Sequence, residues 1–448
     1  MELGSWAIIK APSLLALIPL LIYIVLVMIN KPSMNSLLIS VVVGCLLCGL
    51  NLAGVGKLFT TALSSSLVAI GFLTMMGAGL GEVLNRCGVA KTIVYYIVKK
   101  IGINSEKKGI LVTMVASLVI VTFLGTMNGG NAVIAPIIIP LVAAVGLTPS
   151  AVAVLFKVCG DVGLVWGPLS SATVMLLSVT GLSYGAMMLW AGIPFGLAYM
   201  AGALIGVLII QKRYRGKETY DISADVTNHL DTIEIKPEEK RATIAFIVSF
   251  LALIIYSFIA KLGTNGAYVV IILCTFITGF VYKMKLTDII NAFIKGCSTM
   301  TFTIFLFILF NMMLDLIKLG GGWTALSDLM SATVAKTGKV GVTLISALIG
   351  CFGIEAAAPS EIQLLYDMFW PVAMEVGLPI QIFIISLLAG TRLTASFYPS
   401  ANLVASMAIA KTPNTKNVLI GTWCAVGAAL IFIVIWAIFG PLLVSLFY

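Results

Sequence analysis

Val158-Cys159-Gly160-Asp161-Val162-Gly163, running on to Trp166-Gly167-Pro168-Leu169-Ser170-Ser171-Ala172-Thr173, is an apolar segment interrupted by glycine, proline and a charge. A second stretch of this kind lies about 231 residues further on. It runs Ala389-Gly390-Thr391-Arg392-Leu393-Thr394-Ala395-Ser396 to Tyr398-Pro399-Ser400-Ala401-Asn402. Outward from each, the same signals keep the same order. Pro140, Gly146-Leu147-Thr148-Pro149 and Gly160-Asp161 precede the first Gly167-Pro168 break. Pro371, Gly377-Leu378-Pro379 and Gly390-Thr391-Arg392 precede the second, at Tyr398-Pro399. One shared proline means little in an apolar helix, but an ordered series reads as an internal repeat.

The surroundings identify the solvent. Hydrophobic residues make up 60% of the chain and charged residues 10%, which excludes an ordinary soluble domain. Apolar runs of about 17–25 residues recur throughout, the length a helix needs to cross a hydrocarbon core. They lack the alternation of a closed β-barrel. The run Leu14–Met28 has no basic leader and no small-residue cleavage site, so it is expected to be the first span rather than a removed signal. The eight cysteines are scattered through apolar runs and read as packed thiols. The formal charge of +9 resides in the loops, so membrane topology explains it and a nucleic-acid partner is not expected.

The polar stretch Gln211–Arg241 divides the chain and reads as a linker. Residues 1–210 and 242–448 then form two repeats. Each opens with two spans (about 12–29 and 36–53; about 243–260 and 267–282), then a glycine- or methionine-rich span ending near Glu82 or Asp315. An amphipathic stretch follows, Val89–Ile101 or Trp323–Thr337, expected to lie flat in the interface. Next comes a pair of short arms, at 109–146 and at 341–377, with Thr126–Asn131 and Gly353–Glu361 between them. Polar backbone at membrane depth is tolerated only inside protein or facing a cavity, so each pair reads as a re-entrant hairpin. A broken helix (150–180; 380–408) and a long final span complete each half.

The expected fold is therefore an all-α membrane protein with two repeats of five transmembrane helices plus a re-entrant hairpin each, broken helices at the centre. An odd number of crossings inverts the second repeat. With that count, Lys and Arg collect on the linker side, opposed only by Lys10, Lys57, Lys261, Lys318, Lys336 and Lys339. The positive-inside rule then makes the linker cytoplasmic and puts both termini outside a cell membrane, inner or plasma.

Paired interruptions in two inverted halves point to a transporter's binding site. Lys157 and Arg392 remain at membrane depth after all loop charges are placed, and such charges default to function. Lys157 and Asp161 are four residues apart and can pair on one helical face; Arg392 falls opposite Asp161 in the repeat register. Arg392, with Lys157, can neutralise a substrate carboxylate, with Asn128, Asn131, Ser360, Trp166 and Tyr398 beside it. Asp161 and Glu355 are the deepest acids, suited to Na+ or a proton. Thr126, Ser170, Ser171, Thr173, Thr391, Ser396, Ser400 and Asn402 add hard oxygen ligands. The alternative for any single hydroxyl is a bond to its own backbone.

Tips, broken spans and repeat together resemble the ion transporter superfamily, which includes divalent-anion/sodium symporters. Gly160-Asp161 followed by Pro168-Leu169-Ser170-Ser171-Ala172-Thr173 looks most like its NhaC-type Na+/H+ antiporter group. The tips depart from the symporters' Ser-Asn-Thr pattern, reading Thr-Met-Asn-Gly-Gly-Asn and Glu-Ala-Ala-Ala-Pro-Ser. The resemblance implies a secondary active carrier working by alternating access, with no cofactor and with Na+ or H+ as coupling ion. Basic core residues favour a small carboxylate-bearing solute, an organic acid or amino acid; the family signature favours plain Na+/H+ antiport. An enzyme is not expected, since no HExxH is present and the lone His229 is in the linker. Proteins of this class are often homodimers, but the sequence locates no interface.

Overall fold

The computed structural model describes residues 2–29, 31–220, 234–260, 262, 264–353 and 357–447. Every regular element among them is helical. Nine helices are long and apolar enough to cross a membrane among the described residues.

The first half opens with α1 (Ile18–Met28) and α2 (Ser33–Leu47), the latter burying Ser36 and Ser40 among its apolar residues. Then comes α3 (Leu52–Leu63), capped by Asn51, whose side chain accepts the Gly54 N–H at 2.8 Å. The glycine-rich α4 (Ser66–Arg86) and the amphipathic α5 (Val89–Ile101) follow. Val89, Val94 and Val98 turn inward on α5, while Lys99 and Lys100 are exposed. Helices α6 (Glu106–Leu124) and α7 (Met127–Ala144) pack as antiparallel arms. Gly125 ends α6 in the left-handed conformation (φ 65°), which only glycine adopts without penalty. Pro149 starts α8 (Pro149–Trp166), and α9 (Ser171–Thr180) follows the break. Helix α10 (Tyr184–Met187), a π turn over Met188–Gly192 and α11 (Ile193–Tyr214) run on as one apolar rod.

The second half repeats the series. Helices α12 (Pro237–Ile259) and α13 (Thr264–Val281) are followed by the amphipathic α14 (Leu286–Ser298) and by α15 (Thr301–Leu319). Helix α16 (Gly322–Gly353) bends at Gly338, whose φ of 58° separates an interfacial-length first part from the arm that packs on α17 (Ala358–Glu375). Helices α18 (Ile380–Phe397) and α19 (Ala401–Ile409) form the second broken pair, and α20 (Thr415–Phe447) closes the chain.

Packing partners recur in pairs. Helix α6 lies against α8 as α16 lies against α18; α7 meets α19 as α17 meets α9; α2 meets α15 as α13 meets α4. The arms come close to the broken helices because small residues let them. A Cβ built on Gly163 of α8 would sit 2.9 Å from the Leu118 carbonyl of α6, and one on Gly350 of α16 would sit 2.6 Å from the Gly390 Cα of α18. The two long rods α11 and α20 pack along each other, with Gly206 against Gly421. Hydrophobic burial cannot drive such contacts inside lipid, so close backbone approach and dispersion must.

Four details differ from the sequence reading. Helices α3 and α14 were not foreseen as separate elements. The arms α6 and α7, with 19 and 18 residues, are longer than expected. The first tip is only Gly125-Thr126, because Met127–Asn131 already belong to α7. Helix α8 runs unbroken through Gly160-Asp161, and the break falls later, at Gly167–Ser170, where proline removes a backbone donor.

Candidate functional site

The site begins with the two breaks, which are built alike. A helix interrupted at depth leaves carbonyls of the first half and N–H groups of the second without partners. At the first break Ser170 serves both ends. Its Oγ accepts the Thr173 N–H at 3.2 Å and donates to the Leu164 carbonyl, while Thr173 Oγ1 donates to the Val165 carbonyl at 2.9 Å. At the second break Ser400 Oγ accepts the Leu403 N–H at 3.3 Å and donates to the Ala395 carbonyl at 2.6 Å.

Beside the breaks lies a buried charge cluster. Lys157 and Asp161, one turn apart on α8, form a salt bridge with side chains 0% and 1% exposed. Lys157 Nζ also donates to Ser396 Oγ at 2.8 Å, and Ser396 donates to Asp161 Oδ2 at 3.3 Å. The Tyr199 hydroxyl on α11 donates to Ser396 and lies 3.5 Å from Asp161 Oδ2. From α18, Arg392 brings Nη1 to 3.6 Å from Asp161 Oδ1 and donates from Nε to Thr391 Oγ1 at 3.3 Å. Two cations share one carboxylate, so the cluster carries a surplus positive charge. A charge at that depth is costly unless answered.

The surplus faces a cavity. Arg392 lines a space of about 470 Å³ together with the first tip and the start of α7 (Gly125–Gly129), the first break (Ser170, Ser171 and Ala172), the start of α17 (Ala357, Ala358 and Pro359) and Asn402. Helices α4, α14 and α15 complete it with Thr74, Thr299, Thr303 and Phe307. Glu82 and Asn85 line it as well, Glu82 being held by Arg86 and Lys295, each at 3.1 Å. A second cavity, of about 450 Å³, is lined by Tyr23, Lys31, Glu361, Thr391, Thr394 and Ser400 among others. Ala357 and Asn402 border both. Asn128 Nδ2 donates to Asn402 Oδ1 at 3.2 Å, tying the first hairpin to the second broken pair at this border.

The residues singled out from sequence divide accordingly. Arg392, Thr126, Asn128, Ser170, Ser171 and Asn402 line the first cavity; Thr391, Ser400 and again Asn402 line the second. Lys157, Asp161 and Ser396 form the cluster behind Arg392. Asn131 works inside the hairpin, accepting from Ser117 Oγ at 2.7 Å and donating to the Phe156 carbonyl at 2.9 Å. Trp166 donates to the Gly192 carbonyl at 2.8 Å, and the Tyr398 hydroxyl to the Phe352 carbonyl at 3.3 Å; neither borders the two cavities. Ser360 is fully buried, and its Oγ finds no hydrogen-bond partner among the described residues. Glu355 lies outside the described residues. Sequence reasoning missed Tyr199, a hydroxyl midway along an apolar rod whose other tyrosines, Tyr184 and Tyr214, stand at its two ends, and the cavity threonines Thr74, Thr299 and Thr303. Only the isolation of Tyr199 was a usable signal.

No curated protein matches in sequence. Among solved structures, MtrF of Neisseria gonorrhoeae, described as illuminating a class of antimetabolite efflux pumps, aligns with a TM-score of 0.58 at 14% identity. The alignment covers 97% of this chain and 96% of MtrF. The YdaH transporter of Alcanivorax borkumensis, described as having an unusual topology, aligns with a TM-score of 0.60 at 14% identity, over 87% of this chain and 90% of its own. At such identity the likeness carries the fold. In this multi-pass membrane protein, residues 2–212, a little under half of the chain, match the model of the Na+/H+ antiporter family.

Proposed function

We propose that this chain is a secondary active transporter that moves a small carboxylate-bearing solute, an organic acid or amino acid, coupled to Na+ or H+. One observation carries the reading: the surplus cation of a buried cluster, Arg392, faces a cavity lined by both hairpins and both broken pairs. A net positive wall attracts a carboxylate and opposes a bare cation. A guanidinium can bind a carboxylate in two parallel hydrogen bonds. On this reading Lys157, Asp161, Tyr199 and Ser396 hold Arg392 in place. Thr126, Asn128, Ser171 and Asn402 contact the remainder of the solute.

The matched packing pairs support two repeats, 1–210 and 242–448. Placed in a bilayer with re-entrant hairpins, they are inverted, with the linker 211–241 cytoplasmic and both termini outside. Alternating access is then movement of the hairpins and broken pairs against α11, α20 and the remaining helices. The description of MtrF as an efflux pump favours an organic solute and leaves its direction of travel open between uptake and export.

Plain Na+/H+ antiport is the second reading, and the family match over residues 2–212 favours it. A thermal-stability screen of the purified protein against organic acids and amino acids, each in NaCl and in choline chloride, separates the two. A ligand at 100 times its dissociation constant adds about 2.7 kcal/mol, a readable shift. Stabilisation by a carboxylate that disappears in Arg392→Ala supports the carrier. Stabilisation by Na+ alone, dependent on pH and unchanged in Arg392→Ala, overturns it in favour of the antiporter.

A further inference from the structure

Arg392 is buried at the inner wall of the first cavity, so a solute passes other charges before reaching it. Glu82, on α4, lines that cavity and accepts Arg86 Nε and Lys295 Nζ on the same oxygen, Oε1, each at 3.1 Å. The Glu82 side chain is 21% exposed, that of Arg86 39% and that of Lys295 67%. The trio thus runs from the cavity wall out to solvent and marks a mouth. Asn85 and Thr299, both exposed, line the cavity beside it. Close packing fixes the trio there. A Cβ built on Gly296 of α14 would sit 2.3 Å from the Ala78 carbonyl oxygen of α4, and one on Gly79 would sit 2.7 Å from the Phe293 ring.

One carboxylate against two cations leaves the mouth with one positive charge in excess. The elements that line the cavity bring little to cancel it. Helices α7, α9 and α19 have no charged side chain, and α4 has only Glu82 and Arg86. On α14 the other acid, Asp288, is seven residues before Lys295, about 10 Å along the helix. Asp315 of α15 lies eight residues past Phe307, the last residue of that helix on the cavity wall, and Glu361 of α17 lines the second cavity. The acid of α8, Asp161, is already shared by Lys157 and Arg392. Mouth and inner wall therefore carry the same sign.

We propose that Glu82, Arg86 and Lys295 form an electrostatic mouth that draws anions into the first cavity and slows cations, with Lys295 setting its sign. Glu82 holds the two cations against the wall, and Lys295 tips the balance from neutral to positive. A cleft lined by one sign of charge concentrates the opposite ion and raises its rate of entry. Lys295 is thus a selectivity residue that acts on entry and touches no bound solute. This deepens the carrier reading and rests on it for the identity of the anion.

Charged thiol reagents test the field without knowledge of the solute. Thr299→Cys places a thiol on the cavity wall, four residues beyond Lys295. The purified full-length variant is treated with anionic sulfonatoethyl, cationic trimethylammonioethyl or neutral methyl methanethiosulfonate, and mass spectrometry follows the adduct at position 299. Rates are taken relative to those with a small free thiol, and the neutral reagent corrects for access and thiol reactivity. The anionic reagent is expected to outrun the cationic one. At low ionic strength their rate ratio should fall about fivefold when Lys295→Gln is added and rise about fivefold when Glu82→Gln is added. Both shifts should shrink in molar salt, where the Debye length is about 3 Å. A ratio that ignores both substitutions overturns the proposal. So does a shift that survives molar salt, or one that the neutral reagent shows equally, because either marks a change of shape. If the ratio shifts as expected but no carboxylate stabilises the wild type, the carrier reading fails and the charged mouth stands. If a carboxylate binds and the ratio does not shift, the mouth alone fails.

Discussion

The two broken helical pairs have the same backbone and opposite chemistry. Both end their first helix in a proline-containing break, and both restart on a serine that caps the second helix and answers a carbonyl of the first. The first pair, α8 and α9, carries its charges as an internal ion pair, Lys157 with Asp161, sealed from both cavities. The second, α18 and α19, carries Arg392 with no acid of its own and borrows Asp161 across the interface. One copy of the motif thus supports, and the other presents. A repeat that starts symmetric can divide labour by placing two residues on one side and one on the other.

The comparison breaks most visibly at Asp161. Asp161→Asn leaves Lys157 and Arg392 buried without their carboxylate, and removing one member of such a set costs about 3–5 kcal/mol. The expected result is a large fall in thermal midpoint and in the yield of monodisperse protein by size-exclusion chromatography. A variant as stable as wild type would show that the cluster is not the support described. Arg392→Ala should be much milder for stability, since Lys157 keeps its bond to Asp161, but it removes the contact made in the cavity. Hydrogen bonds to charged groups are worth about 1.5–3 kcal/mol, so the solute's dissociation constant should rise about 10- to 150-fold. Arg392→Lys should recover part of the charge and not the two-point geometry; isothermal titration with the stabilising carboxylate reads both.

The serine caps sharpen the symmetric side of the comparison. Ser170→Ala and Ser400→Ala should each lower stability by about 1 kcal/mol in thermal or denaturant unfolding. Similar losses would confirm equivalent backbone roles; a loss confined to Ser170 would mean that Thr173 and Ser170 together carry a burden the second break lacks. Smallest is Asn128→Ala, which removes the bond to Asn402 at the border of the cavities. The bond is exposed, which puts it at the low end of the range of about 0.5–1.5 kcal/mol, so a drop in thermal midpoint below that of either cap variant is expected.

How much of this could be read from the sequence follows from what each feature depends on. Pro168 and Pro399 remove donors whatever surrounds them, so both breaks were legible, as was α5, found at Val89–Ile101 as expected. Gly160 looked like part of the first break and is not. It is small because Met127 and Asn131 of α7 press against it, a fact of packing that no local pattern states. Helices α3 and α14 were lost among longer apolar runs, because an amphipathic helix of 12 or 13 residues is a weak signal beside a span. Lys157 and Asp161 announced their pairing by a spacing of four. Whether Arg392 joins them or faces a cavity depends on how α8 and α18 meet, and it does both. Asn131 was expected at the substrate as an amide of the first tip and Trp166 as an aromatic near the basic residues; each bonds a backbone carbonyl of a neighbouring element, which no local pattern states.

The most direct measurement compares the stabilising carboxylate with its carboxamide analogue, binding to wild type and to Arg392→Ala. The two ligands share shape and differ in charge, so the fourfold comparison isolates the interaction between Arg392 and the carboxylate. The account predicts that wild type prefers the carboxylate by at least about tenfold, and that Arg392→Ala binds the two equally. Equal binding by the wild type, or a preference that survives in Arg392→Ala, would contradict it.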